Sequence, residues 1–241
     1  MAAQIVWISG ASAGIGRALA EQRPQPSARV IDISRRGGTP GTEHLPADLS
    51  DPASWSALER HFRAQLATAV GSAVFIHNAG VLDPVGFAGE VESDGYRSNV
   101  LLNAAAPQVL GHAFLAAAKA AEVPAQLVLL TSGAAVRPYP GWSGYCAGKA
   151  AVDMWTQTVG RELALRGDAQ RVFAVAPGVV DTAMQQRTRD VDDADFPDAP
   201  RFRGMHRRGE LTDPAEAAKG IWSLIAAGQD NGAVVDLRTA A

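Results

Sequence analysis

The chain has 241 residues, a net charge of −3, 47% apolar and 20% charged residues, the balance of a soluble globular protein with enough material for a sizeable core. Its basic residues, nearly all Arg, are scattered or mixed with acids, which argues against nucleic-acid binding. A single cysteine, Cys146, excludes an intramolecular disulfide and reads as a small buried helix residue in a reducing cytoplasm. The histidines His44, His61, His77, His112 and His206 lack metal-ligand spacing, so no metal site is expected.

The start, Met1-Ala-Ala-Gln-Ile-Val-Trp-Ile8, runs into a predicted strand at Ala3 to Ser9 with no export or membrane signature, so a cytoplasmic protein is expected. The turn Gly10-x3-Gly14-x-Gly16 follows at once and opens a predicted helix at Gly14 to Arg23, stopped by Pro24 and Pro26. Glycines there allow a tight turn and close backbone approach to a pyrophosphate, whose charge a helix N-terminus favours; Ser12 and Ile15 belong to the same loop. Gly10-Ala-Ser12-Ala-Gly14 also fits the Gly-x-Ser-x-Gly nucleophile elbow of hydrolases, with His206 as a conceivable base. Its place after the first strand argues against that reading.

A second strand, Arg29 to Ile33, leads into Ser34-Arg35-Arg36, where a dinucleotide fold meets the adenosine ribose. Arginine at that point accommodates a 2′-phosphate, so NADP(H) is favoured over NAD, while Asp32 should lie inside the strand. After a strand at His44 to Ala47, Asp48 and Leu49 are placed to reach the adenine edge, although Asp48 equally suits a turn or cap. Ser50-Asp51-Pro52 opens a helix to Ala67 by the preferred cap-then-proline pattern. A strand at Ala73 to His77 precedes Asn78-Ala79-Gly80, whose small side chains let the backbone pass close to a cofactor, and a long helix spans Ser93 to Ala121.

The strand Gln126 to Thr131 ends beside Ser132, and a helix at Ser143 to Leu165 carries Tyr145-Cys-Ala-Gly-Lys149. The four-residue spacing puts a phenol and an ammonium on one helical face, and both types are rare here, with three Tyr and three Lys in all. A strand at Arg171 to Ala176 leads to Pro177-Gly178-Val-Val180-Asp-Thr182. The irregular stretch from Met184 to Glu210 reads as a mobile substrate lid, and a helix at Pro214 to Ala227, opened by Thr212-Asp213, precedes a last strand at Ala233 to Leu237. Short apolar strands alternating with helices predict a Rossmann-like, doubly wound α/β fold. Its seven-stranded parallel sheet would carry helices on both faces in one domain over residues 1–241.

In this order, Gly10-x3-Gly14-x-Gly16, Asn78-Ala79-Gly80, Asn99, Ser132, Tyr145-x3-Lys149 and Pro177-Gly178 to Thr182 resemble the short-chain dehydrogenase/reductase family over nearly the whole chain. Segments 141–150 and 176–185 resemble its sepiapterin reductase and benzil reductase branch. The resemblance implies NADPH-dependent reduction of a ketone or vicinal diketone, with Tyr145 as acid, Ser132 orienting the carbonyl, Lys149 lowering the tyrosine pKa and holding the ribose, and Asn99 supporting a proton relay. Thr182 would meet the nicotinamide carboxamide, and Asp236 matches the pterin anchor of sepiapterin reductases. Trp142, Met184 and Met205 are the apolar substrate-pocket candidates. The resemblance also implies a homodimer or homotetramer formed through the long helices near Ser93 to Ala121 and Ser143 to Leu165. The alternatives are a 3-oxoacyl or other secondary-alcohol dehydrogenase of the same family and, in a different class, a non-catalytic NADP-sensing regulator.

Overall fold

Continuous apolar runs such as Val74-Phe75-Ile76 make strands that must be covered on both faces, and the computed structural model shows how this is done. It describes residues 3–68 and 70–239. Among them, seven strands form one parallel sheet: β1 (Ala3–Ser9), β2 (Arg29–Ser34), β3 (Glu43–Pro46), β4 (Val70–His77), β5 (Ala125–Leu130), β6 (Arg171–Ala176) and β7 (Val234–Asp236). Their spatial order is β3-β2-β1-β4-β5-β6-β7, so the winding reverses between β1 and β4.

Alternation along each strand sorts the core into two layers. Ile5, Trp7, Ile31, Phe75, Leu127 and Val172 point to one face, which is covered by α2 (Trp55–Leu66), α4 (Ala106–Ala120) and α5 (Ser143–Arg166). Val6, Ile8, Val30, Ile76, Val128 and Phe173 point to the other, beneath α1 (Gly14–Glu21) and α8 (Pro214–Ala227), which pack on each other. On the first face Trp7, Phe62, Phe75 and Phe114 meet mostly edge to face, with ring centroids 5.2 to 5.8 Å apart. The stretch Ser93–Ala120 is long and apolar enough to cross a membrane, yet half of its most apolar window is buried in this core.

Cap chemistry sets several boundaries. Asp51 Oδ1 accepts from the Ala53 amide at 2.9 Å, one turn before α2, and Asp213 Oδ1 accepts from Ala215 at 2.7 Å to open α8. The first helix stops at Glu21, two residues earlier than expected, with Gln22 bonding back to the Ala18 carbonyl ahead of Pro24.

Two expectations need correction. The long helix from Ser93 is not one α-helix: α3 (Ser93–Val100) passes through a π turn at Leu101–Ala105 before α4 begins. Pro107 has no N–H to give the Asn103 carbonyl, so the regular i to i+4 ladder cannot run through this turn. The stretch from Met184 to Glu210 is likewise not irregular, since it holds α6 (Ala183–Asp190) and α7 (Ala199–Arg207). Thr182 caps α6 by accepting from the Gln185 amide, Pro200 starts α7, and Val191, Phe196, Ala199 and Phe202 bury in a third apolar cluster with Trp142 and Tyr145.

The edge strand β7 docks against α5 through glycine. A Cβ on Gly160 would lie 2.1 Å from the Gly232 backbone nitrogen, which only backbone movement can relieve. Gly160→Ala is therefore expected to destabilise the protein by about 1–3 kcal/mol. A urea titration checks this through a lower midpoint, and an unchanged midpoint would contradict the docking.

Candidate active site

The site forms at the carboxyl ends of β1 and β4, where the reversal of winding opens a crevice. The glycine turn at its floor is clamped from three sides. The Ala11 amide donates to Asp32 Oδ1 at 3.2 Å, Thr39 Oγ1 donates to the Ala11 carbonyl at 2.6 Å, and Asn78 Nδ2 donates to the carbonyls of Ser9 and Gly10 at 3.1 and 3.3 Å. In return Ser9 Oγ accepts from the amides of Asn78 and Ala79, both at 3.0 Å. Gly10 and Gly14 have φ of 70° and 54°, where a side chain is strained, and a Cβ on Gly16 would sit 2.2 Å from the Gly10 carbonyl. Asp32 is fully buried inside β2, so its task is to hold the loop from behind.

A cavity of about 730 Å³ runs from this loop to Tyr145. Gly10, Ser12, Gly14, Ile15, Ser34, Arg35, Arg36, Asp48, Leu49, Asn78, Ala79, Gly80, Pro177, Gly178 and Thr182 line it, together with Ser132, Tyr145, Lys149 and Met184. At one end Arg35 and Arg36 are exposed just past β2, and Ser34 Oγ accepts from the Gly37 amide. Asp48 there makes a turn, its Oδ1 accepting from the Ser50 amide and hydroxyl; that bond and the nearby Arg35 hold the carboxyl below its usual range.

Other candidates lie outside the cavity lining. Gly16 supports the loop from beneath, and Val180 is buried in a bridge to Thr212. Trp142 stacks on Phe196 at 4.3 Å in the third cluster, with Met205 packed against that cluster, because the aromatic residues of 196–202 fold back over it. Asp236 forms an ion pair with Arg238, whose stem lies against Gly178, so the carboxylate is engaged by its own strand end. Cys146 is half-buried rather than buried, and desolvation pushes its thiol pKa up, away from reactivity.

At the opposite end Tyr145 is 8% exposed and Lys149 5% exposed. Lys149 Nζ donates to the Leu130 carbonyl at 2.8 Å and lies 5.6 Å from the Tyr145 ring centroid. Burial pushes the Tyr145 phenol up to about 12, opposed by a hydrogen bond with Ser132. Burial also pulls Lys149 down to about 8, opposed by Asp153. Where a lowered tyrosine pKa was expected, the phenol instead lies above its ordinary range, because desolvation outweighs the Ser132 hydrogen bond. The phenol stays protonated across neutral pH.

Asn99 and Asn103, one turn apart, meet α5 at Gly144 and Gly148. A Cβ on Gly144 would lie 2.9 Å from Asn99 Oδ1, and one on Gly148 would lie 2.7 Å from Asn103 Cβ and 3.3 Å from the Asn103 carbonyl oxygen. Asn99 Nδ2 donates to the carbonyls of Val81, Leu82 and Asp83, so it ties down the cavity wall and does not line the cavity. Asn103 is the asparagine beside the lysine. It accepts from the Val81 amide, donates to Asn99 Oδ1, and a Cβ on Gly80 would lie 3.1 Å from its Oδ1 and 3.7 Å from Lys149 Nζ. The missed signal was Pro107, four residues after Asn103, which removes the donor to its carbonyl.

This geometry is matched by known proteins. The family model for short chain dehydrogenase matches residues 4–193, and the chain belongs to that family of oxidoreductases, which use nicotinamide cofactors on small-molecule substrates. A benzil reductase ((S)-benzoin forming) from Bacillus cereus is 34% identical over 234 residues, covering 91% of this chain and 93% of that protein. A sepiapterin reductase from Rattus norvegicus is 38% identical over 99 residues, 41% of this chain and 36% of that protein. A short-chain dehydrogenase/reductase structure from Saccharomyces cerevisiae superposes with a TM-score of 0.85 at 22% identity, covering 98% of this chain and 97% of that one.

His77, at the end of β4, is fully buried and its Nε2 has no hydrogen-bond partner among the described residues. Burial, with Lys149 nearby, pulls its pKa to about 3 from 6.5. Between those values the unfolded chain binds a proton that the folded one refuses, so stability should fall as pH drops below about 6.5. Denaturation midpoints over that range are expected to fall less steeply for His77→Leu, by up to about 1.4 kcal/mol per pH unit. Equal slopes would show that His77 does not couple.

Proposed function

We propose that residues 1–241 form a single NADP-binding domain that reduces a ketone or vicinal diketone to an alcohol with NADPH. The observation that carries this reading is the convergence of Ser132, Tyr145 and Lys149 at one end of the cavity whose other end is the glycine loop. The cavity fits a dinucleotide: the Gly10–Gly16 turn leaves no room for a Cβ beneath it and presents the N-terminus of α1 to a pyrophosphate, and Arg35 and Arg36 stand where a 2′-phosphate would be met. When bound, the reduced nicotinamide supplies hydride to the carbonyl carbon.

The chain's own groups handle the oxygen. Ser132 donates a hydrogen bond that polarises the carbonyl, and the Tyr145 phenol transfers its proton to the oxygen as negative charge develops there. A phenol pushed up to about 12 by burial keeps its proton at neutral pH and is present as the acid. Lys149, cationic below about 8, holds the ribose hydroxyls and favours the phenolate left after proton transfer. Asn103 and Asn99 fix the turn and wall beside it. Thr182 stands at the cavity to meet the carboxamide, and residues 184–210 cover the substrate end as a lid, with Met184 and Arg187 reaching the cavity and Arg187 bonded to Asp83 on the facing wall at 2.9 Å.

A diketone with apolar substituents suits this site better than a pterin. Val81, Pro84, Val85, Leu102 and Met184 supply apolar walls, whereas the pterin-anchor candidate Asp236 is outside the cavity and paired with Arg238. The Bacillus cereus relative that acts on benzil matches the chain nearly end to end. Exposed Val109 on α4 and Met154 and Leu165 on α5 support a homodimer or homotetramer through these helices, in the cytoplasm.

NADPH oxidation followed with benzil, an aliphatic diketone, sepiapterin and a 3-oxoacyl thioester is expected to be fastest with a diketone. Tyr145→Phe should lower kcat by about 10²–10⁴ while NADPH still binds. Cofactor binding without turnover on any carbonyl would favour a sensor instead. Replacing both Arg35 and Arg36 with Ala should raise KM for NADPH roughly tenfold or more and leave KM for NADH nearly unchanged; an equal change for both cofactors would contradict 2′-phosphate recognition.

A further inference from the structure

Behind Lys149 the interior holds a carboxylate that the reaction just described leaves unused. Asp153 is one helical turn further along α5 and only 8% exposed, and its Oδ1 has no hydrogen-bond partner among the described residues. Burying a carboxylate so incompletely satisfied is costly, and its folding benefit is poor. Side chains on a helix lean toward its N-terminus, so a residue four places after Lys149 leans back over the lysine's turn. Thr131, buried and with its hydroxyl likewise unpartnered among the described residues, directly follows Leu130, whose carbonyl holds Lys149 Nζ. Burial raises the Asp153 pKa, while Thr131 and Lys149 both pull it back toward the charged form.

The polar groups around Lys149 come from four elements. His77 of β4 is neutral, Asn103 of the π turn is uncharged, Leu130 and Thr131 at the end of β5 offer a carbonyl and a hydroxyl, and on α5 Tyr145 is a neutral phenol. Asp153 is the one carboxylic acid of this set. We propose that Asp153 is a positioning residue whose buried carboxylate keeps Lys149 an ammonium in the active site, so that the lysine holds the cofactor ribose and stabilises the tyrosinate during turnover. This rests on the assignment of Lys149 to those tasks.

The test compares the wild-type protein with Asp153→Asn and Asp153→Glu in two measurements: the pH profile of kcat/KM for diketone reduction, and NADPH affinity by fluorescence titration at each pH. The alkaline limb of Asp153→Asn is expected to move down by about one pH unit, giving roughly a tenfold loss at alkaline pH and little loss where Lys149 remains protonated. NADPH affinity should weaken over the same shifted range, and Asp153→Glu should restore much of both. An unmoved limb, or a loss equal at every pH, would overturn the proposal. If wild-type protein turns over no diketone, the reaction assignment fails, while the pH dependence of NADPH binding still decides the role of Asp153. Should Asp153→Asn melt below assay temperature, Thr131→Val, which removes only the hydroxyl favouring the carboxylate, is expected to shift the limb in the same direction by a smaller amount; no shift there would count against the proposal.

Discussion

The parallel pairing of β1 with β4 is the constraint on which the rest depends. It sets Ser9 beside His77, and therefore brings Gly10 and Asn78, each the next residue, to the same sheet edge. From there the Asn78 side chain can bond the carbonyls of Ser9 and Gly10 while Ser9 Oγ takes the amides of Asn78 and Ala79. The phosphate loop is thus a property of two strands, reinforced by Asp32 from within β2 and by Thr39 from beyond it. A glycine turn lacking these clamps would be free to relax, since glycine loses more conformational freedom on ordering than other residues.

Burial sets the electrostatics of the opposite end. Tyr145, Lys149 and His77 each shift toward the neutral form, as desolvation requires. For a reduction these directions are consistent with one another: the acid keeps its proton, the lysine sits close to its titration range, and the histidine adds no competing positive charge. The cost is a buried polar cluster with few partners, which only a rigid surrounding core can hold, and the two apolar layers on either side of the sheet supply it.

Much of this was legible in one dimension. Strands β1 and β6 have the expected bounds, because their apolar runs are bracketed by glycine, proline or polar turns, and the cavity gathers most of the cofactor residues named from the loop motifs. The asparagine was not legible. Asn99 and Asn103 have the same helical spacing, and only the contact with Gly148 and Gly80 distinguishes the one beside Lys149. The π turn was hidden for a related reason: proline near the start of a helix is usually harmless, and here Pro107 leaves the Asn103 carbonyl, which lies against α5 at Gly148, without its helical donor. The helices of 183–207 were missed because their charge-rich sequence masks a few apolar residues whose partners, Trp142 and Tyr139, are far away in the chain.

By itself the amino-acid sequence determined the order of elements, the family and the reactive groups, since these follow from local periodicity and from spacings within a turn or a single helix. Tertiary structure decided which groups meet and in what protonation state. Trp142 and Asp236 are drawn away from the cavity by Phe196 and Arg238, Asn103 takes the place beside the lysine, and Asp153 is buried one helical turn beyond Lys149. The physical reason is that desolvation and long-range packing depend on what surrounds a side chain in space, which no local pattern of residues encodes.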